Sequence, residues 1–433
     1  MSSQGGDRKL AQIMRRLDAL TDWERRPRGL MRVGLAPMQD LAARLGEPQN
    51  SFRAIHVAGT KGKGSVCALI EAGLVRAAVR AGRYGSPHVE RVTERVSIGG
   101  RDVDDLTLAR ALDATLDAYE HARRAKTAAA EATWFDLMTA AAFVIFRDAG
   151  VEWAVVEVGL GGRLDSTNVV DGEFAVVTNI GLEHTEILGP TRAAIAGEKI
   201  GILKPPAVLI TTVGADDEIG GVLHERAGEL NCSVIHVKIS TEATIEETNV
   251  ALAGVALDEL GRRKTVRDES GKLLGASLLD ARTRAAARLI GRMERVDTDG
   301  LPVIFDGAHV PFNLAAVMRD LARAADLAGP CVAVVALAAD KDAAGFLAEL
   351  KKRANAAVFT ELPSATRRRS PDDLRNVAAG LGLPSEVEPD PKAALKRGLD
   401  LAKGANSWLM VTGSLYLVGA LRGEVQSKSP STD

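Results

Sequence analysis

Cysteine is scarce in this chain, and neither sign of charge dominates it. The three cysteines, Cys67, Cys232 and Cys331, lie far apart in 433 residues. That spacing excludes a disulfide framework and a cysteine-built metal site, and it suits a reducing compartment. A formal net charge of −2 gives no basic excess for a polyanion such as nucleic acid. No apolar run approaches the ~20 residues that span a bilayer. The first residues are polar and charged, without the apolar core of a signal peptide. Internal repeats and low-complexity segments are missing as well. These absences predict a soluble cytoplasmic protein with neither nucleic acid nor membrane as a partner. Apolar residues, at 46%, are plentiful enough for well-filled cores. The length exceeds what one core usually holds, which predicts two domains.

The most informative stretch is Ile55-His56-Val57-Ala58-Gly59-Thr60-Lys61-Gly62-Lys63-Gly64-Ser65-Val66. A short apolar run predicts a buried strand over 54–58. Gly59, Gly62 and Gly64 then allow a tight turn whose N–H groups can approach an anion. The helix expected from about Ser65 to Ala78 offers a free N-terminus that favours negative charge. Lys63 adds a cation, and Ser65 a hydroxyl that can face a phosphate or its Mg²⁺. The spacing departs from the common G-x-x-x-x-G-K-[ST] pattern, with Val57 at the first glycine and Gly64 directly after the lysine. The stretch reads as a phosphate cradle, which by itself names no reaction.

Along the chain, helical periodicity covers much of residues 1–50, with Trp23 to Arg32 an irregular basic linker or a substrate-facing loop. Thr133 and Asp136 read as the capping box of an apolar helix. Near-continuous apolar strands at 153–158 and 174–178 carry the signature of a parallel sheet covered on both faces. Alternating strands and helices predict a doubly wound α/β domain, whose ligands gather at the carboxyl ends of the strands. That rule brings the glycine turn, Ser86, Glu157 and His184 to one rim. Residues 263–285 are loosely patterned, with a surface turn at 268–272. Periodicity restarts near Pro302 and predicts a second, smaller α/β domain. The polar run at 296–301 reads as the boundary, giving domains at 1–298 and 299–425 and a disordered tail at 426–433.

Taken together, these stretches resemble the folylpolyglutamate synthase/dihydrofolate synthase family, within the Mur-type ATP-dependent amide ligases. The resemblance covers most of the chain in the right order. It rests on the 56–66 stretch, on Ser86-Pro87-His88 and on Glu157 to Val169 (EVGLGGRLDSTNV). Asn179-Ile180-Gly181-Leu182-Glu183-His184-Thr185, Glu198-Lys199-Ile200-Gly201 and Gly291-Arg292 follow. Asp306-Gly307-Ala308-His309, Asp340-Lys341-Asp342 and Gly413-Ser414 complete it. Three places depart from the family pattern. Val310-Pro311 stands where Asn-Pro is usual, no His-Gln pair precedes Asn249, and Leu289-Ile290 precedes Gly291 in place of proline and tryptophan.

The resemblance implies a Mur-ligase-like fold and an enzyme that adds L-glutamate to folates, to dihydropteroate, or to both. ATP would activate the substrate carboxylate as an acyl phosphate, and ADP and phosphate would leave. Gly62, Lys63, Gly64 and Ser65 would hold ATP phosphates, with Lys63 catalytic. Ser86, Glu157 and His184 would hold one Mg²⁺. Lys199 would be carbamylated and hold a second. Asn249, Arg292 and Asp306 would contact adenine, phosphate and ribose, and His309 would sit near the γ-phosphate. Leu164, Asp165 and Ser166 would line the pterin site. The resemblance also leans towards a monomer. Two alternatives accompany this reading: a Mur-type ligase for another carboxylate, and a nucleotide-binding homologue that has lost catalysis.

Overall fold

The computed structural model describes residues 3–22, 34–264, 271, 273–363 and 368–426. The Trp23–Arg32 linker falls outside the described residues, as do most of the 268–272 turn and the tail beyond Gln426. The chain divides into two compact units, Met1–Arg288 and Leu289–Asp433.

In the first unit the strands are β1 (Arg53–Ala58), β2 (Ala81–Tyr84), β3 (Val96–Ile98), β4 (Arg101–Asp102), β5 (Trp153–Glu157), β6 (Gly172–Val177), β7 (Val208–Thr211) and β8 (Ser233–His236). The helices are α1 (Ser3–Leu17), α2 (Ala36–Arg44), α3 (Lys63–Arg76), α4 (Asp105–Ala125), α5 (Trp134–Asp148), α6 (Thr185–Leu188), α7 (Arg192–Ile200), α8 (Glu218–Glu229), α9 (Ile245–Lys264) and α10 (Ala281–Ala286). The strands form one sheet in the order β4-β3-β2-β5-β1-β6-β7-β8. All its pairings are parallel except β2–β3 and β3–β4.

Helices cover both faces of this sheet, so β1, β5 and β6 are buried except at Arg53, which is exposed, and Glu173, which is half-buried. Ala54, Tyr84 and Val156 pack into one cluster with α4 and α5, around Leu108, Leu112, Trp134 and Phe143. Ala58, Ala175 and Val177 pack into another with α7 and α8, around Ile195, Ile200 and Leu223. The expected capping box starts α5: the Thr133 hydroxyl accepts from Asp136 N, and Asp136 Oδ2 accepts from Thr133 N at 2.7 Å. The β3–β4 hairpin is an addition to the sequence reading, its strands being too short to show a period. The 263–285 region also holds α10, capped by Asp280, whose carboxylate accepts from Thr283 N at 2.8 Å.

The second unit carries β9 (Glu294–Thr298), β10 (Leu301–Phe305), β11 (Cys331–Val335), β12 (Ala354–Phe359), β13 (Ser385–Val387) and β14 (Trp408–Thr412). Its helices are α11 (Pro311–Leu321), α12 (Ala343–Lys351), α13 (Pro371–Leu381), α14 (Pro391–Gly404) and α15 (Leu415–Gln426). The sheet order is β13-β12-β11-β14-β10-β9, parallel except for β9. The run expected to be a linker is instead the β9–β10 hairpin, which pairs Thr298 with Leu301 and Glu294 with Phe305. The chain therefore divides before this hairpin, between Arg288 and Leu289, and not near residue 298. Gln426, expected to open a tail, closes α15.

Candidate active site

The stretch expected to bind phosphate is β1, a four-residue loop and α3. The helix begins at Lys63 rather than Ser65, so Lys63, Gly64 and Ser65 form its first turn. Gly62 caps it in the left-handed conformation (φ 84°), and among the described residues no side-chain cap bond is made at this end. The uncapped N–H groups, a lysine and a hydroxyl thus share one half-buried turn, free of acidic residues. A Cβ at Gly62 would stand 2.6 Å from Oδ1 of Asn249 on α9, so glycine is required by both conformation and space.

The residues after β6 strap this loop down. Thr60 N donates to Asn179 O at 2.9 Å, and Lys61 N to Asn179 Oδ1 at 3.0 Å. In return, Asn179 Nδ2 and the Thr178 hydroxyl donate to Lys61 O at 3.0 and 2.6 Å. The Lys61 ammonium pairs with Glu183 at 3.0 Å, and His184 Nε2 lies 3.6 Å from the same carboxylate oxygen. These straps and the Lys61–Glu183 pair were missed from the sequence. A second lysine inside the glycine turn was the one visible signal for them.

Glu157 is the last residue of β5, and Ser86 and His184 follow the carboxyl ends of β2 and β6. The register sets Val57 of β1 beside Glu157 and Ala58 beside Val177, which brings those ends level. Glu157 is buried, and its Oε2 accepts from Ser86 N at 3.2 Å. His184 takes a left-handed backbone (φ 56°) at the start of α6. Among the described residues, no three His, Cys, Asp or Glu side chains cluster closely enough to hold a metal alone. One carboxylate and one hydroxyl nonetheless suit Mg²⁺, which binds through one or two carboxylates, waters and substrate phosphates. The donor set fits a cation held jointly with a nucleotide.

Lys199 on α7 is only 5% exposed and donates to Gly59 O at 2.9 Å. Burial and the neighbouring Lys63 lower its pKa to about 7, with Lys61 adding to the effect and Glu183 opposing it. The 159–165 loop lies directly on this helix. Arg163 N donates to Glu198 O at 2.8 Å, and a Cβ at Gly162 would stand 2.8 Å from that same carbonyl.

Within that loop Asp165 is buried, and burial raises its pKa. Its carboxylate caps the short 166–169 turn by accepting from Thr167 N at 3.0 Å, and it accepts from Leu160 N at 2.7 Å. Leu164 and Ser166 on either side are half-buried, and the Ser166 hydroxyl donates to Asp136 Oδ1 at 2.6 Å. Asp136 therefore joins helix start and loop, beyond the capping role read from sequence.

The second unit holds its own constellation after β10. Asp306 is buried and accepts from Met293 N and Ala308 N, both at 2.8 Å. Gly307 N donates to Gly291 O at 3.0 Å, and a Cβ at Gly307 would stand 3.2 Å from an Arg292 guanidinium nitrogen. Gly291-Arg292 and the 306–309 turn are thus one assembly. His309 Nδ1 bonds to Gly307 O at 2.8 Å; a carbonyl only accepts, so Nδ1 carries the proton. Val310, where an asparagine is usual, caps α11 without a side-chain bond, and Pro311 starts the helix with its fixed φ.

Residues 57–263 match the Mur ligase middle domain, and residues 291–415 match the Mur ligase glutamate ligase domain. Fold, phosphate loop and these matches define the chain as a Mur-type ATP-dependent ligase. It is 36% identical over 328 residues to the dihydrofolate synthase/folylpolyglutamate synthase of Escherichia coli (strain K12), covering 74% of this chain and 75% of the relative. The chain belongs to the dihydrofolate synthase/folylpolyglutamate synthase family. Its structure superposes on Mycobacterium tuberculosis folylpolyglutamate synthase complexed with ADP, with a TM-score of 0.83 and 27% identity, covering 98% of this chain and 100% of that one. It also matches the bifunctional folylpolyglutamate synthase/dihydrofolate synthase of Yersinia pestis complexed with AMPPNP and Mn ion, with a TM-score of 0.78 and 26% identity, covering 96% and 98% of the two chains.

Proposed function

We propose that this ligase joins the amine of L-glutamate to the carboxylate of a pterin substrate, either dihydropteroate or a folate. The observation that carries the proposal is the open N-terminus of α3, with Lys63 in its first turn, behind a loop held by Asn179 and by Lys199 and next to the strand that ends in Glu157. A carboxylate is a poor electrophile. Its oxygen attacks the γ-phosphorus of ATP, ADP leaves, and an acyl phosphate forms. The glutamate amine then attacks the acyl carbon and phosphate departs.

Lys63 and the amides of Gly62, Gly64 and Ser65 would hold the phosphates and stabilise the charge that develops on the transferring group. A divalent cation, when bound, would neutralise phosphate charge there. Ser86, Glu157 and His184 would hold it. Lys199 would bind a second cation after carbamylation. Its depressed pKa supports that step, because only the neutral amine reacts with CO₂.

Asn249, packed against Gly62, would meet adenine. Arg292 and Asp306 would serve phosphate and ribose, and His309 the γ-phosphate. Leu164, Asp165 and Ser166 would contact the pterin. The enzyme would act as a monomer in the cytoplasm. Among the described residues, no helix is long and apolar enough to cross a membrane.

The test of the phosphate site is Lys63→Ala. Loss of the cation should lower kcat/KM by about a hundredfold or more. The melting temperature should stay near that of the parent, since Lys63 is half-buried in a loop-proximal turn. Parental turnover in this variant would remove the loop from the reaction.

A further inference from the structure

His56 lies on the central strand β1, whose other residues from Ala54 to Ala58 are apolar and buried. It has no solvent exposure at all. Its Nε2 meets the Thr167 hydroxyl at 2.9 Å. That hydroxyl in turn donates to Asp165 Oδ1. Thr167 has one proton to give and gives it to Asp165, so its oxygen accepts from His56 Nε2–H. The ring is neutral, with burial and then Lys204 drawing its pKa down to about 3. Nδ1 carries the lone pair and finds no partner among the described residues. A valine at this strand position would pack without that cost, and an unpaired buried nitrogen is expensive. The placement therefore points to a role.

We propose that His56 and Thr167 are positioning residues that fix the Asp165 carboxylate, and with it the 159–169 loop, in the shape that receives the pterin. The relay runs His56, Thr167, Asp165, Leu160 N, the last step at 2.7 Å. Its aspartate stands between Leu164 and Ser166. It starts on the strand that leads, three residues later at Gly59, into the phosphate loop. Lys204 braces the same loop from outside, donating to Asn168 O and Val170 O at 2.8 Å. The inference rests on the reading that Leu164–Ser166 contact the pterin. Neither His56 nor Thr167 touches the substrate in this account.

The test uses Thr167→Val, which removes the hydroxyl at nearly constant shape, in the full-length enzyme with dihydropteroate and tetrahydrofolate as probes. The KM for the pterin should rise about tenfold, the weight of a hydrogen bond to a charged group, with the KM for ATP within about twofold. Thr167→Ser should restore the parental value, and His56→Gln, whose amide reaches the same place, should come close to it. If Thr167→Val does not fold, His56→Leu against His56→Gln makes the same comparison. An unchanged pterin KM, or equal rises for pterin and ATP, would overturn the relay. Leu164→Ala separates the two levels. A raised pterin KM there beside parental behaviour in Thr167→Val overturns the relay alone, whereas an unchanged one overturns the placement of the pterin at this loop.

Discussion

Lys199 shows how residue type alone misleads. A lysine is an unpromising metal ligand, and only the family resemblance gave it that role. Its surroundings now give a physical reason. A buried ammonium beside Lys63 and Lys61 is disfavoured, and its pKa falls to about 7. The sign works in favour of modification. Above pH 7 the amine is largely neutral and can attack CO₂, releasing one proton and leaving an anionic carbamate. Protein equilibrated with ¹³C-bicarbonate should show one carbamate carbon signal that grows as pH rises through 7 and vanishes in Lys199→Ala. Absence of that signal in the parent protein would leave Lys199 an amine. At this scale the sequence exposed the loop lysine, the carboxylate and the imidazole because each interrupts or follows a strand. It hid Lys61–Glu183 and His56–Thr167, since those partners are 122 and 111 residues apart. No local pattern encodes a contact of that range.

Elements are readable when they are buried and long. The strands around 54–58, 153–157 and 172–177 announced themselves as apolar runs, and the helices between them by periodicity. β9 escaped notice because it is an edge strand whose first four residues alternate between half-buried and exposed, so the polar run from Asp297 to Asp299 looked like a linker. The start of α3 was placed two residues late for a different reason. Glycines disfavour helix interiors in general, yet here Gly64 belongs to a first turn. Gly62 is the element's critical residue. Gly62→Ala would force a Cβ into a left-handed backbone and against Asn249, 2.6 Å away. The cost should be about 1–3 kcal/mol of stability. ADP affinity should fall as well, because the amides of the turn shift with the cap. Calorimetric melting and an ADP titration measure both effects. An alanine variant with parental melting and parental ADP affinity would contradict the role given to this cap.

The whole molecule joins two α/β units, and each presents a cluster of polar groups after a parallel strand. In the first unit the cluster follows β1, β2, β5 and β6; in the second it follows β10. The doubly wound architecture, the existence of a second smaller unit and the strand–glycine turn–helix form of 54–76 were all legible from pattern. The boundary was not, because a polar hairpin and a polar linker have the same composition. The family sets the chemistry, and the central claim is that this chain forms an amide bond between a pterin carboxylate and L-glutamate at the expense of ATP. Purified enzyme with ATP, Mg²⁺, L-glutamate and, in turn, dihydropteroate, dihydrofolate or tetrahydrofolate is the direct measurement, with products separated by mass. The account predicts a product one glutamyl residue heavier from at least one pterin, with ADP release that requires both the pterin and glutamate. ADP release without any glutamylated pterin, or no reaction with all three substrates, would contradict it.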